Sequence, residues 1–270
     1  MSCDETYTQV LKEPGRKAES KSWMWVRCVP TGANKIILFD YDSHRSAEVA
    51  KKLLSGFKGF LQVDGYASYN ILEKDMELIR IGCNMHGRRY FEKALKIGAK
   101  SGQTLAEVAL RFYKRLYDHE EELRALPPDE RYKLRQEVQV PIWEEFKSWA
   151  EDNHSKVPPK SKIGEAFKYF HSEYAYLTGY LQDGRLEMDN GFAERAIRSF
   201  AIGRNNWMFA DSEAGAHASA MFYSLLCTAK INNVNIYESI KHLFNEIPKA
   251  KTIEDYERLA DIIMGIIPLP

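Results

Sequence analysis

Strand-type patterning in this chain stops near residue 81, and almost everything after it repeats at helical spacing. Any sheet must therefore be built from the N-terminal third, with helices packed on it or gathered into a body of their own. Thr6–Leu11 is β-branched and aromatic, and Gly15 breaks the polar stretch that follows. Trp23–Val29 is a second strand, ended by Pro30-Thr31-Gly32. Lys35–Tyr41 contains Ile36-Ile37-Leu38-Phe39, too continuously apolar for a half-exposed strand, which places it centrally in the sheet. Three strands at this short spacing imply an antiparallel meander.

Helical periodicity first appears over Ser46–Phe57, with Val49, Leu53, Leu54 and Phe57 on one face. Phe60–Val63 is a fourth strand ending at Asp64-Gly65, Ile71–Asp75 a short helical piece, and Leu78–Ile81 a fifth strand ended by Gly82. A basic amphipathic helix follows from Gly87 to about Lys100. Beyond it, Leu105–Leu126, Glu130–Asp152 (interrupted at Pro141) and Ile163–Leu181 are helices. Gly191–Phe200 is a short helix, Ser212–Ile231 a long one, and Val234–Phe244 and Ile253–Ile263 close the chain. The expected organisation is α/β: a core over residues 1–100 and 186–270, interrupted by an all-helical insertion over 101–185.

Lys+Arg and Asp+Glu both number 38, so the formal net charge is zero. That excludes a simple basic nucleic-acid coat but leaves room for local basic patches. The four cysteines, Cys3, Cys28, Cys83 and Cys227, form no CxxC pair, so a metal ribbon is excluded and a reducing cytosol is the default. No apolar run approaches a membrane span, and the first residues carry no signal-peptide pattern.

Three carboxylates stand at positions suited to chemistry. Asp64 sits where a buried strand meets Gly65, rigid yet open to solvent, which suits a hard divalent cation; Asp-Gly is equally a common turn pair. Glu194 follows Asp189-Asn190, natural N-cap residues. Phe192, Ala193, Ala196, Ile197 and Phe200 fall on one helical arc, and Glu194 borders it, able to point along a helix–sheet seam or to pair with Arg198 at the surface. Asp4 begins the first strand, where alternation groups it with Thr6, Thr8 and Val10; it can also be a solvated terminus. Asp40 and Asp42, ending the third strand, compete for a metal role on local grounds.

Four ordered segments carry a resemblance. Asp4-Glu5-Thr6, then Leu61-Gln62-Val63-Asp64-Gly65-Tyr66-Ala67-Ser68-Tyr69-Asn70, then Gly82-Cys83-Asn84-Met85-His86-Gly87-Arg88-Arg89-Tyr90-Phe91, then Asp189-Asn190-Gly191-Phe192-Ala193-Glu194-Arg195-Ala196-Ile197-Arg198 with Gly203-Arg204-Asn205-Asn206-Trp207, together resemble the insertion-sequence 66 family of bacterial transposases. Phe192 stands where the family usually has Pro, and Asn84-Met85 where it has Trp-Ala. Family polypeptides normally carry an N-terminal coiled-coil-like segment and a cysteine-containing zinc-binding region, so the expectation here is of a catalytic core without them.

The resemblance implies an RNase H-like fold with a five-stranded mixed sheet, in which Asp4, Asp64 and Glu194 hold two Mg²⁺ (or Mn²⁺) ions for DNA cleavage and strand transfer. It demotes Asp40 and Asp42. It implies DNA as partner (transposon ends and target), a homo-oligomer on that DNA, accessory proteins of the same element, and a cytoplasmic, nucleoid-associated location. Cys83 and His86 form a C-x-x-H pair that resembles a motif near the active site of several transposase families; zinc would need two further ligands, so a supporting role is expected. Arg88, Arg89, Arg195, Arg198 and Arg204 are expected to neutralise phosphates, and Trp207 to stack on a base or to lie partly in the core. Two rivals stay open: a nuclease of the same fold without strand transfer, and a non-catalytic DNA-binding remnant.

Overall fold

The computed structural model describes residues 1–32, 34–66, 69, 72–73, 76–97 and 104–268. In chain order its elements are β1 (Ser2–Lys12), β2 (Lys21–Val29), β3 (Ile36–Asp42), α1 (Ala47–Leu53), β4 (Gly59–Gln62), β5 (Leu78–Ile81) and α2 (Asn84–Ile97). Then come α3 (Leu105–Leu123), α4 (Pro128–Leu134), a π-helical turn (Arg135–Gln139), α5 (Val140–His154) and α6 (Lys162–Leu177). The chain closes with α7 (Gly191–Trp207), β6 (Ala210–Ser212), α8 (Glu213–Ile231), α9 (Ile236–Glu246) and α10 (Ile253–Ile263). The class is α/β. Two compact units emerge: one of Met1–Gly59, Lys74–Glu77 and Gly191–Pro270, the other of Phe60–Glu73 and Leu78–Asn190.

In the first unit β1, β2 and β3 form the expected antiparallel meander, with Asp4 opposite Val26 and Val26 opposite Phe39. Opposed residues project to the same face. Asp4, Thr6, Thr8 and Val10 therefore share a face with Met24, Val26 and Cys28. That face carries the core, closed by Ala193, Ala196, Ile197 and Phe200 of α7 and by Ala216 and Ala220 of α8. The opposite face is polar and aromatic. Arg27 pairs with Asp40 at 2.8 Å, Arg45 pairs with Glu5, and the Arg45 guanidinium lies 5.1 Å from the Trp23 ring centre.

The apolar strand β3 is not central. Its outer side is sealed by side chains of α8 and the residue that follows it, which is why so apolar a run tolerates the position. Phe39 N–H donates to Ser224 Oγ (2.7 Å), Ile37 N–H to Thr228 Oγ1 (3.0 Å), and Lys35 N–H to Asn232 Oδ1 (3.1 Å). Thr228 Oγ1 also donates to Ile37 O (2.9 Å) and Asn232 Nδ2 to Lys35 O (3.0 Å). The match is geometric: four helical residues rise about 6 Å, and two strand residues span about 6.6 Å. A covered edge cannot recruit another strand.

Two further differences concern the C-terminal part. A sixth strand, β6, pairs in parallel with β1, Val10 opposite Ala210, adding to the five expected; three residues are too few for a readable alternation. Helix α7 runs to Trp207 rather than stopping near Phe200, straight through Gly203. Gly203 marks a close approach and not a break: a Cβ there would lie 2.2 Å from the Tyr223 hydroxyl.

Strands β4 and β5, which lie in the second unit except for Gly59, are neighbours. Gly59 N–H donates to Glu77 O and Val63 N–H to Ile81 O, so the bonds advance in the same direction on both strands, as in a parallel pair. Helices α2, α3, α5 and α6 enclose an aromatic core that includes Phe91, Phe112, Tyr113, Trp143, Phe146 and Phe170. The irregularity expected at Pro141 lies just before it, in the π-helical turn. Pro141 sits in the first turn of α5, where its missing N–H costs little. Of the short helix expected at Ile71–Asp75 only Leu72 and Glu73 are described, both helical; Lys100 lies outside the described residues.

Candidate active site

Asp4 and Glu194 belong to the same unit. The register places Asp4 on the sheet face that α7 covers, and α7 contacts both β1 and β2. Glu194 stands in the first turn of α7, between the buried Ala193 and the sheet-facing Ala196 and Ile197. The helix N-terminus favours a carboxylate there. Asp4 Oδ1 accepts from Glu5 N–H at 2.9 Å. Asp40 and Asp42 lie on the opposite face by the same register, opposite Trp25 and Trp23, and Asp40 is already committed to Arg27.

Asp64 belongs to the second unit and lies two residues past the end of β4. Its Oδ1 accepts from Tyr66 N–H (3.0 Å), and among the described residues Oδ2 makes no hydrogen bond. The turn is held from below by Arg80. This side chain is fully buried, donates to Asp64 O (3.1 Å) and Glu173 Oε2 (2.5 Å), and lies 4.0 Å from the Tyr176 ring centre. Burial pushes the Glu173 carboxyl upward, against the opposing pull of Arg80. The Tyr169 ring covers Gly65 so closely that a Cβ there would lie 2.8 Å from it, and Tyr169 stacks on Tyr90 at 4.3 Å. Burial raises the Tyr169 hydroxyl, and the nearby charges of Glu173 and Asp64 act the same way. Arg80, Glu173 and Tyr169 were not singled out by sequence. A usable signal existed for the first: alternation in Leu78-Ile79-Arg80 puts Arg80 on the buried side with Leu78. Ala67, Ser68 and Asn70 of the same motif lie outside the described residues.

Cys83 immediately precedes α2 and His86 lies in its first turn. The Cys83 thiol and a ring nitrogen of His86 lie within 4.8 Å, and Asn190 N–H donates to the buried Cys83 Sγ at 3.3 Å. Tyr117 OH holds Asp189 Oδ2 at 2.9 Å, fixing the residue ahead of that N–H.

The expected DNA contacts divide into engaged and unengaged groups. Arg88 pairs with Glu92 at 2.9 Å and lies 5.7 Å from the Tyr117 ring centre; Arg89 donates to Met85 Sδ at 3.5 Å. Arg204 is tied to β1, donating to Thr6 Oγ1 (3.3 Å) and Tyr7 O and stacking on Tyr7 at 3.9 Å. Trp207 packs edge-on against Phe200 at 5.1 Å, in keeping with its core alternative. Arg195 and Arg198 are exposed and make no side-chain hydrogen bond or ion pair among the described residues.

The description "Transposase IS66 family" matches residues 1–218, which include all three carboxylates. The chain belongs to the IS66 family of transposases. It is 33% identical over 269 residues to the uncharacterized protein y4qI of Sinorhizobium fredii (strain NBRC 101917 / NGR234), covering 95% of this chain and 49% of that protein. It is 28% identical over 260 residues to the uncharacterized protein y4jD of the same organism, covering 92% of this chain and 50% of that one. The IS66 chain thus spans about half the length of these curated relatives. No helix among its described residues is long and apolar enough to cross a membrane.

Proposed function

We propose that this chain is the catalytic domain of an insertion-sequence transposase, with an RNase H-like core, a helical insertion over residues 101–185, and Asp4, Asp64 and Glu194 as the metal-binding carboxylates. Membership in the IS66 family carries this reading. The residues present fit the group they would hold: three hard carboxylate donors, with one Asp64 oxygen uncommitted among the described residues. Two divalent ions bound there would clamp the attacking and leaving oxygens of a phosphodiester. The chain's own part is to orient. Arg80 and the Tyr66 N–H fix the Asp64 turn, the first turn of α7 presents Glu194, and β1 presents Asp4 on the face beneath α7. Cys83 and His86 support the start of α2, and the exposed Arg195 and Arg198 neutralise phosphates without reading sequence. The partners are transposon-end and target DNA, a further copy of the chain on that DNA and accessory proteins of the element, in the cytoplasm.

The test is metal-dependent cleavage and joining of a duplex carrying the element's end. Asp64→Asn keeps an acceptor for Tyr66 N–H, so the turn should persist while activity with Mg²⁺ or Mn²⁺ is abolished. Full activity in that variant would sink the site assignment. Cleavage without joining by the native chain would place it with nucleases of this fold.

A further inference from the structure

The first unit contains a cleft of about 460 Å³ beside the N-terminal half of α7, formed with β3 and the C-terminal end of α8. Ile37, Phe192, Ala196 and Ile231 make its floor, and Lys35, Arg195 and Lys230 stand around it. Among the described residues its lining contains no carboxylate. None of the three cationic side chains has an ion pair or hydrogen bond among the described residues. Three unneutralised cations over an apolar floor select a ligand that is anionic at its edge and apolar in its body. The volume falls in the range of about 300–1,000 Å³ typical of single-ligand pockets, so a duplex does not fit but one nucleotide does. Phe192 offers a ring for a base, and base stacking on aromatic side chains tolerates any sequence.

We infer that this cleft binds one unpaired nucleotide of a DNA strand, its base on the floor beside Phe192 and its phosphates at Lys35, Arg195 and Lys230. The inference deepens the transposase reading and rests on it. Arg195 follows the proposed catalytic Glu194 directly, so a strand anchored in the cleft is held next to the turn of α7 that presents the carboxylate. The cleft would thus hold a frayed or cut strand end independently of metal.

Cys227 makes the test direct. It lines the cleft with its thiol 3.4 Å from Ser199 Oγ, and it is half-buried where Cys3, Cys28 and Cys83 are buried. The native chain is alkylated with iodoacetamide in EDTA, with modification at Cys227 followed by peptide mass. Burial raises the Cys227 thiol, so mildly alkaline buffer is used. A duplex with a short single-stranded end, at about ten times its Kd, should slow Cys227 alkylation about tenfold by mass action. A blunt duplex of the same sequence should leave the rate nearly unchanged. The variant Lys35→Gln should lose much of the protection while its DNA-free Cys227 rate stays native, which reports an intact cleft; Lys230 is left in place because its charge lowers the Cys227 thiol. Equal protection by blunt and single-stranded ends, or none from either while the chain still cleaves DNA, would overturn the inference and leave the transposase reading standing. Protection by polyglutamate but not by DNA would assign the cleft to an acidic protein partner and overturn it too. A chain that neither binds nor cleaves DNA would remove the transposase reading itself.

Discussion

Replacing Thr228 by Val removes one hydroxyl from the seam between α8 and β3 while leaving the side chain's shape nearly unchanged. In the native chain that hydroxyl serves both Ile37 N–H and Ile37 O. Thr228 is 0% exposed and Ile37 5%, so water cannot substitute without opening the seam. Stranding a buried backbone group costs about 1–3 kcal/mol. Two such groups, less the burial gained by one extra methyl, give a loss of about 2–4 kcal/mol. Thr228→Ser is the control: it keeps the hydroxyl and deletes one methyl, for about 1 kcal/mol. Urea unfolding at 25 °C, followed by amide-exchange protection within β2 and β3 of the same unit, should place the Val variant clearly below the Ser variant. Amide exchange at Ile37 should accelerate in the Val variant, by roughly thirtyfold for each 2 kcal/mol. If Thr228→Val unfolds at or above the Thr228→Ser midpoint, the side-chain ladder is not what seals β3.

Three other outcomes follow from the second unit. Arg80→Met strands the buried Glu173 and should cost about 3–5 kcal/mol, most of it recovered in the Arg80→Met, Glu173→Met double variant; equal instability of single and double variants would refute the pairing. Glu173 already sits above its unfolded value because burial outweighs the pull of Arg80, and losing Arg80 raises it further, so the loss in Arg80→Met should shrink as pH falls through that range in acid titrations of stability. Burial pulls the Glu120 carboxyl upward, but hydrogen bonds and charge from Arg135, with help from Gln139 and Arg131, outweigh it and hold it below the usual 4.5. Its stabilising contribution is therefore present above 4.5 and lost as pH falls through the lower folded value, so Glu120→Gln should flatten the acid limb of a stability–pH profile and lower the neutral plateau. Gly65→Ala would place a Cβ 2.8 Å from the Tyr169 ring and should reduce metal-dependent cleavage by tilting the Asp64 turn; unchanged turnover would show that Tyr169 simply moves aside.

Much of the secondary structure was legible because its signals are local. The meander followed from β-branched and aromatic runs between Gly and Pro breakers. In the structure several helix starts are capped locally, with Thr104, Ser161 and Ser212 each accepting a backbone N–H of the first turn. The face shared by Asp4, Thr6, Thr8 and Val10 was fixed by the two-residue strand period alone. Asp64 was different. A strand-end Asp-Gly has the same appearance at a metal site and at an ordinary turn, and the ordered family motifs, not local chemistry, singled it out.

What sequence could not supply were partners chosen across long separations. The run Ile36-Ile37-Leu38-Phe39 announced burial but not which surface would provide it. Only the tertiary structure showed that an edge strand is sealed by Ser224, Thr228 and Asn232, nearly two hundred residues away. Arg204, expected to contact phosphate, also donates to the backbone of β1, a bond that no sequence spacing indicates. Arg195 looked identical in sequence and is unengaged among the described residues beside an apolar cleft. Backbone periodicity is set by covalent geometry and is written residue by residue. Which side chains end up satisfied, and which stay available for a ligand, depends on whole elements packing, and that is decided only when the chain closes on itself.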